Sequence, residues 1–209
     1  MLALLAAAQN PPDAGREIGN IFPTAPRELR QNLNRAQQAI ADERFTDAAD
    51  ELGQILDNPA SDDYFLGRPG QPDAQQSLKT AALALIGSMP AKGRQIYETK
   101  FGFDARAELE QALAEASLSK LTEVSRRYFH TKSGYEATLL LGRTQLDQGR
   151  PLAAVLTLKR IADVPVAAAQ YDPELSVLLA TCWVHAREPG KATDTLLALK
   201  QRLPAAKVR

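Results

Sequence analysis

The chain has 209 residues, of which 44% are hydrophobic and 24% charged, as is usual for a globular protein. Its 25 basic and 25 acidic residues balance, which argues against a nucleic-acid binder, because such proteins neutralise phosphates with an excess of Lys and Arg. The charge is uneven along the chain: residues 1–70 carry 11 acidic and 6 basic side chains, whereas residues 131–209 carry 7 and 11.

Residues 1–26 have the composition of a leader followed by a linker. Met1–Ala8 is apolar and ends in three alanines, which is typical of the end of a secretory signal peptide, although a basic start is missing. The alternative is a hydrophobic N-terminal helix. Residues 11–26 are rich in Pro, Gly, Asp and Asn, so an extended linker is expected, with Ile21 and Phe22 docked on the first helices. We therefore expect a periplasmic or secreted protein, and otherwise a cytoplasmic one. No stretch approaches the ~20 apolar residues of a membrane span.

Apolar residues at helical spacing predict an all-α domain over residues 27–205, followed by a tail at 206–209. Helix pairs are predicted near 27–58, 75–100, 104–129, 134–164 and 173–203. We expect a break at the Phe101-Gly102-Phe103 corner, with Asp104 capping the next helix. Residues 59–73 are predicted to form a long loop. Its apolar side chains either pack back on the helices or bind a partner: Tyr64, Phe65 and Leu66.

The clearest helix pair lies between Gly134 and Pro165. The spacing predicts a helix over Tyr135–Asp147 that ends at Gly149, since glycine readily adopts the left-handed conformation of helix C-termini. Pro151 is expected to begin the second helix and Pro165 to end it. Small residues are expected where the two helices cross: Ala137, Gly142 and Ala154.

Two further segments repeat this spacing. Ala48, Leu52 and Pro59 each precede Ala154, Leu158 and Pro165 by 106 positions, and Ala192 follows Ala154 by 38. Three segments in the same register predict stacked helical hairpins, because each hairpin must bury its apolar face against the next.

The pattern of Gly142, Gly149, Ala154 and Pro165 resembles the tetratricopeptide repeat, although the first-helix Trp of that family is missing. The resemblance implies a right-handed α-solenoid of stacked antiparallel helix pairs. Residues 27–205 also resemble the N-terminal helical region of secreted planctomycete-type proteins, on the residues 91–103, 126–161 and 178–189. Those proteins continue into a β-propeller of pyrroloquinoline-quinone-binding-like repeats. This resemblance implies that a propeller follows the helical module, and it implies no cofactor for these 209 residues.

No residue pattern indicates a reaction, and none indicates a cofactor or metal site. Cys182 is the only cysteine, so an internal disulfide and a cysteine-based metal site are excluded. We expect it to be buried, with Trp183 packed between the last two helices. His130 and His185 are expected to cap helix C-termini. The enzymatic alternative is a thiol site that combines Cys182 with His185.

The leading hypothesis is a non-enzymatic scaffold that binds a protein or peptide partner on the first helix of each pair. The candidate contact residues lie on the predicted first helices: Arg35, Gln38, Tyr135, Arg143 and Gln145. The structural alternative is that the helices pack on a following β-propeller of the same chain.

Overall fold

The computed structural model of the protein describes residues 23–68 and 71–204. The expectations for the signal-like start, for Ile21 and Phe22, and for the tail at 206–209 lie outside these residues. The described part is mainly helical, which confirms the all-α fold class. Its ten α-helices, numbered in chain order, are α1 Arg27–Ala41, α2 Phe45–Asp57, α3 Leu78–Ser88, α4 Ala91–Ala114, α5 Leu118–Arg127, α6 Lys132–Asp147, α7 Pro151–Ala162, α8 Pro165–Tyr171, α9 Glu174–His185 and α10 Pro189–Arg202.

Four pairs of helices are joined by the same three-residue turn: α1–α2, α4–α5, α6–α7 and α9–α10. The middle residue of each turn is left-handed, with φ of 58° at Glu43, 48° at Ala116, 70° at Gly149 and 63° at Arg187. In each turn, this residue donates its N–H to the carbonyl three positions back and the next residue donates five positions back. This is the Schellman motif, which satisfies the last carbonyls of the first helix. The left-handed conformation predicted for Gly149 is confirmed.

The hairpins pack in the order of the chain. Helix α2 contacts α4, α5 contacts α6, and α7 contacts α9, while the first helices α4 and α6 also lie against each other. Ala48, Ala154 and Ala192 are buried, at 0%, 0% and 5% exposure, as the repeat predicted. Three clusters of buried side chains follow one another along the chain, within α1–α4, within α4–α6 and within α6–α9.

The predicted loop at 59–73 is wrong, because most of this segment is regular. Pro59–Asp62 forms a 3₁₀ turn, and the strands β1 Phe65–Arg68 and β2 Gln71–Ser77 form an antiparallel hairpin. Thr24 pairs with β1 at Phe65, on the edge that faces away from β2. Tyr64 and Leu66 pack on the first core cluster. Because β2 continues to Ser77, the third helix begins at Leu78 rather than at residue 75, with the Ser77 hydroxyl accepting from the Thr80 N–H at 3.1 Å.

The predicted corner at Phe101-Gly102-Phe103 is also wrong, since α4 runs through it without interruption. A glycine inside a helix costs only about 1 kcal/mol relative to alanine, and tertiary contacts can offset this. The Phe101 ring lies 4.8 Å from that of Tyr97 and fills the space above Gly53 of α2. Asp104 therefore lies inside the helix and caps nothing. Phe103 points outward and is 81% exposed.

Pro165 does not end the second helix of its pair but begins a further, short helix. Helix α7 ends at Ala162, and Pro165 is the first residue of the short helix α8. The peptide bond between Asp172 and Pro173 is cis, and α9 begins directly after it. The predicted pair 173–203 is present as α9 and α10.

Candidate functional site

The first helices of two successive hairpins, α4 and α6, border an open cleft of about 510 Å³. One long side of α4 lines it with residues at helical spacing, from Glu98 through Arg106 to Leu113. The N-terminal turn of α6 forms the other side with Lys132 and Glu136. Gly102 contributes no side chain to the wall, and the Glu98 carboxylate lies over it, with Oε1 2.7 Å from where a Cβ would be.

Charged groups of both signs line this cleft, and most of them are paired. Arg106 Nε lies 2.8 Å from Glu110 Oε1 in an exposed ion pair one helical turn apart. Glu98 Oε2 accepts from the backbone N–H of Lys132 at 2.9 Å and so fixes the start of α6 against α4. Glu136 is exposed and forms no ion pair with any described residue. The cleft thus presents a slight excess of negative charge.

Two large apolar side chains of α4 lie in or beside the cleft. Leu113 lines it and is 50% exposed. Phe103 does not line the cleft, but it lies on the same face of α4 as the lining residues Arg106 and Glu110, which follow it by three and seven positions. An exposed aromatic ring next to an open cleft is the type of side chain that anchors protein partners.

The structure brings together only two of the five predicted contact residues. Arg35 and Gln38 line a cleft of about 320 Å³ at α1 and α2, where Arg35 Nε lies 2.7 Å from Glu51 Oε1. Arg143 pairs with Glu174 of α9, and Gln145 accepts from the Thr157 hydroxyl at 2.8 Å. Tyr135 is a core residue with 9% exposure, so its predicted place on a contact surface is wrong.

Tyr135 belongs to a buried aromatic group around His130. The rings of Phe129 and His130 lie 4.9 Å apart edge to face, and Phe129 stands in the same way 5.2 Å from Tyr135. His130 Nδ1 lies 3.2 Å from the Tyr135 hydroxyl, and the ring lies against Gly87 of α3. Among the described residues, no hydrogen bond joins the His130 ring to a carbonyl of α5, and the ring pairs instead with Tyr135 of α6. The predicted capping of its own helix by His130 is therefore wrong.

The environment of His130 keeps the imidazole neutral. Burial is the main cause that lowers its pKa to about 4, and the positive charges of Arg160 and Arg94 add to this effect. The ring lies between Gly87 of α3 and Tyr135 of α6, so it packs α3 against the turn between α5 and α6.

Arg160 of α7 is a partly buried cation that contacts an aromatic ring and a helix end. Its guanidinium carbon lies 4.3 Å from the centre of the Phe129 ring. Its terminal nitrogens donate to the Ser125 hydroxyl at 3.2 Å and to the Ser125 carbonyl at 2.9 Å. No carboxylate among the described residues forms an ion pair with it. Burial therefore lowers the pKa of Arg160 to about 10, and the charge of Arg126 adds to the effect.

Arg160 lines a second open cleft, of about 550 Å³, between α3 and the end of α7. Leu83 and Ala84 of α3 form one wall, and Phe129 and Val164 contribute further apolar surface. Asp163 lines the same cleft and is exposed.

The thiol alternative has weak geometric support. Cys182 is fully buried, as expected, and burial raises its pKa to about 11, so the reactive thiolate is scarce at neutral pH. His185 is exposed at the end of α9.

Trp183 is partly buried against the third core cluster, and the ammonium of Lys191 lies 4.7 Å from the centre of its ring.

Within residues 23–68 and 71–204, no three His, Cys, Asp or Glu side chains are grouped as a metal site would require. Among the described helices, none combines the length and hydrophobicity that a membrane span needs.

Sequence reasoning missed both Phe103 and Arg160. Phe103 was assigned to a corner, and its exposure follows from the continuous α4. Arg160 lies between the buried Leu158 and Ile161 in sequence, and a basic residue beside an inward-facing stripe was the only signal for it. No protein-family model matches the chain, no curated protein is significantly similar to it, and no solved structure matches its fold.

Proposed function

We propose that the chain is a non-enzymatic, tetratricopeptide-like scaffold, a right-handed solenoid of helix pairs that binds an extended segment of a partner protein. The binding site is the cleft between α4 and α6. The repeated Schellman turns and the buried alanines support the repeat architecture, since four hairpins share the turn and three of them bury an alanine five residues after its left-handed residue.

The observation that carries the proposal is the pairing of an open cleft with exposed apolar side chains on α4. Phe103 is 81% and Leu113 50% exposed, and both belong to α4, which also packs on α2, α5 and α6. Single exposed apolar residues are common on protein surfaces. Here they flank a cleft of about 510 Å³, and aromatic anchors of this kind dominate binding energies.

The charges of the cleft indicate the chemistry of the partner. Glu136 has no ion-pair partner among the described residues, and the three carboxylates of the lining, Glu98, Glu110 and Glu136, outnumber its two cations, Arg106 and Lys132. A partner segment with an apolar side chain and a nearby Lys or Arg would use both features. The apolar group would contact Phe103 and Leu113, and the cation would face Glu136.

The test is a selection of peptides from a random library displayed against the whole protein, followed by calorimetry with variants. Phe103→Ala and Leu113→Ser are expected to weaken the selected peptides by about tenfold or more, because an anchoring contact contributes 1–2 kcal/mol or more. Glu136→Lys is expected to weaken those peptides that carry a basic residue. The matched control is Leu156→Ser in α7, which removes an equally large side chain that is 71% exposed and away from the cleft.

The proposal is wrong if no peptide is selected, or if the cleft variants and Leu156→Ser bind the selected peptides equally. Turnover of a substrate by the pure protein would contradict the non-enzymatic part.

The second candidate function is a structural domain that packs on another domain of the same polypeptide, such as the β-propeller implied by the resemblance. The exposed apolar residues of the last hairpin favour it, with Val184 58%, Leu196 42% and Leu197 53% exposed. The gene sequence beyond codon 209 tests this candidate: an encoded propeller supports it, and a stop codon at that point removes it. We further propose that the protein is periplasmic or secreted, which cell fractionation tests directly.

A further inference from the structure

The cleft between α3 and α7 contains a cation whose hydrogen-bonding capacity is not used up. A guanidinium has five N–H donors, and Ser125 accepts two of those of Arg160. Three donors therefore have no acceptor among the described residues. The partial negative charge at the C-terminal end of α5, where the Ser125 carbonyl lies, compensates only part of the positive charge.

The guanidinium is held in place before any ligand arrives. Arg160 donates to the Ser125 hydroxyl, which lies 2.9 Å from Thr138 Oγ1, and Thr138 donates to the Gly134 carbonyl at 2.7 Å. This chain of hydrogen bonds links α7 to α5 and α6. The Phe129 ring covers one face of the guanidinium, so its planar edge is the part available to a ligand.

The other residues that line the cleft with Arg160 are mainly apolar. Leu83, Ala84 and Val164 contribute to it, and the neutral His130 adds no positive charge. Asp163 lies on the same cleft and repels anions. A dianion such as phosphate would be repelled more strongly than a singly charged carboxylate. A single carboxylate fits the planar donors of an arginine better than other anions do.

We propose that this cleft is a binding site for a monocarboxylate with an apolar body, in which Arg160 binds the carboxylate and the wall of α3 contacts the body. The volume of about 550 Å³ suits a ligand of small-molecule size or the last residues of a peptide. The site is separate from the cleft between α4 and α6, so this inference does not depend on the proposed function.

The two sources of such a carboxylate are a free aliphatic acid and the C-terminus of a polypeptide. The probes are octanoate with 1-octanol as its neutral counterpart, and a peptide ending in Ala-Leu-Leu with a free or an amidated C-terminus. Binding is followed by calorimetry on the whole protein. We expect at least one carboxylate to bind about tenfold or more tightly than its neutral counterpart, because hydrogen bonds to a charged group are stronger than those to a neutral one.

Variants test whether the preference for a carboxylate depends on Arg160 and on the cleft between α3 and α7. Arg160→Gln is expected to abolish the preference for the carboxylate, whereas Lys159→Gln, which removes the exposed charge next to it on α7, retains it. Asp163→Asn is expected to tighten binding two- to fivefold by removing a like charge. If Arg160→Gln fails to fold, Ala84→Leu serves instead, because it fills the cleft from an exposed position on α3 and leaves Arg160 in place.

Preference for octanoate assigns the site to free acids, and preference for the free-carboxylate peptide assigns it to polypeptide termini. The proposal is overturned if neither carboxylate binds at concentrations up to about 1 mM, or if both bind no better than their neutral counterparts. An unchanged carboxylate preference in Arg160→Gln also overturns it, as does unchanged binding in Ala84→Leu.

Discussion

Gly142 of α6 lies directly against Leu158 of α7. A Cβ atom at position 142 would be 2.5 Å from Cδ2 and 2.6 Å from Cγ of this leucine, which is fully buried. The two helices of the hairpin therefore approach as closely as the absence of a side chain allows, and any larger residue must push Leu158 into a filled core.

Replacing Gly142 by alanine is expected to destabilise the protein by about 1–3 kcal/mol, the usual cost of overpacking, although alanine is the better helix former. Urea unfolding followed by circular dichroism measures this. The control is Gly190→Ala in α10, where a Cβ meets no atom within 4 Å and stability is expected to stay constant or to rise by up to about 1 kcal/mol. Equal effects of the two substitutions would contradict the close crossing.

Because the turn residues are left-handed, we expect Gly-to-Ala and Ala-to-Gly substitutions there to change the free energy of unfolding in opposite directions. Gly149→Ala is expected to cost about 1 kcal/mol, since its φ of 70° is unfavourable for a residue with a Cβ. Ala116→Gly, at a φ of 48°, is expected to stabilise by roughly 0.5 kcal/mol, because relief of strain exceeds the added entropy of the unfolded chain. Urea unfolding of both variants tests the shared geometry, and changes of the same sign would contradict it.

The parts of the fold that follow from local periodicity were predictable. Apolar spacing located the helices on both sides of Gly149, and the 106-residue offset identified Ala48 as the counterpart of Ala154. The hairpin α4–α5 does not show this spacing in its sequence. Its turn lies 33 residues before Gly149, and Leu121 occupies the place equivalent to Ala154.

The parts that depend on tertiary contacts were not predictable. Gly102 is a helix breaker by local propensity, yet Phe101 packs on Tyr97 and Gly53 and the helix continues. The strands at 65–77 have few β-branched residues, and backbone pairing with Pro23–Ala25 supports them from the other side. At the candidate sites, Arg160 is partly buried whereas Phe103 is exposed. This difference depends on the packing of the folded chain and not on the local sequence.

His130 makes stability depend on pH in a defined direction. Its pKa is about 4 in the folded protein and 6.5 in the unfolded chain, so the unfolded chain takes up the proton first as the pH falls. Stability is therefore lost progressively from about pH 6.5 towards pH 4. Between pH 7 and pH 5 the loss is about 2 kcal/mol. The measurement is urea unfolding at these two pH values.

The variant His130→Gln is expected to lack this part of the pH dependence, whereas His185→Gln, at an exposed position, keeps it. A wild-type protein and a His130→Gln variant with the same pH dependence would show that the imidazole is not buried as described.

Cys182 is expected to react with a thiol reagent at least about 100-fold more slowly in the native protein than in urea, because burial hides the sulfur and raises its pKa to about 11. A control with Cys182→Ser and Leu196→Cys, which places a thiol at an exposed position, is expected to react quickly. Rapid labelling of native Cys182 would instead favour the thiol-enzyme alternative with His185.

The cleft between α4 and α6 is the centre of the functional account, and its occupation can be observed residue by residue. The measurement is the change in backbone amide NMR shifts of the whole protein when a selected peptide is added. We predict that the largest changes lie on α4 from Glu98 to Leu113 and on the first turn of α6 from Lys132 to Glu136. Changes concentrated instead on α9 and α10, with those two segments unaffected, would contradict the account.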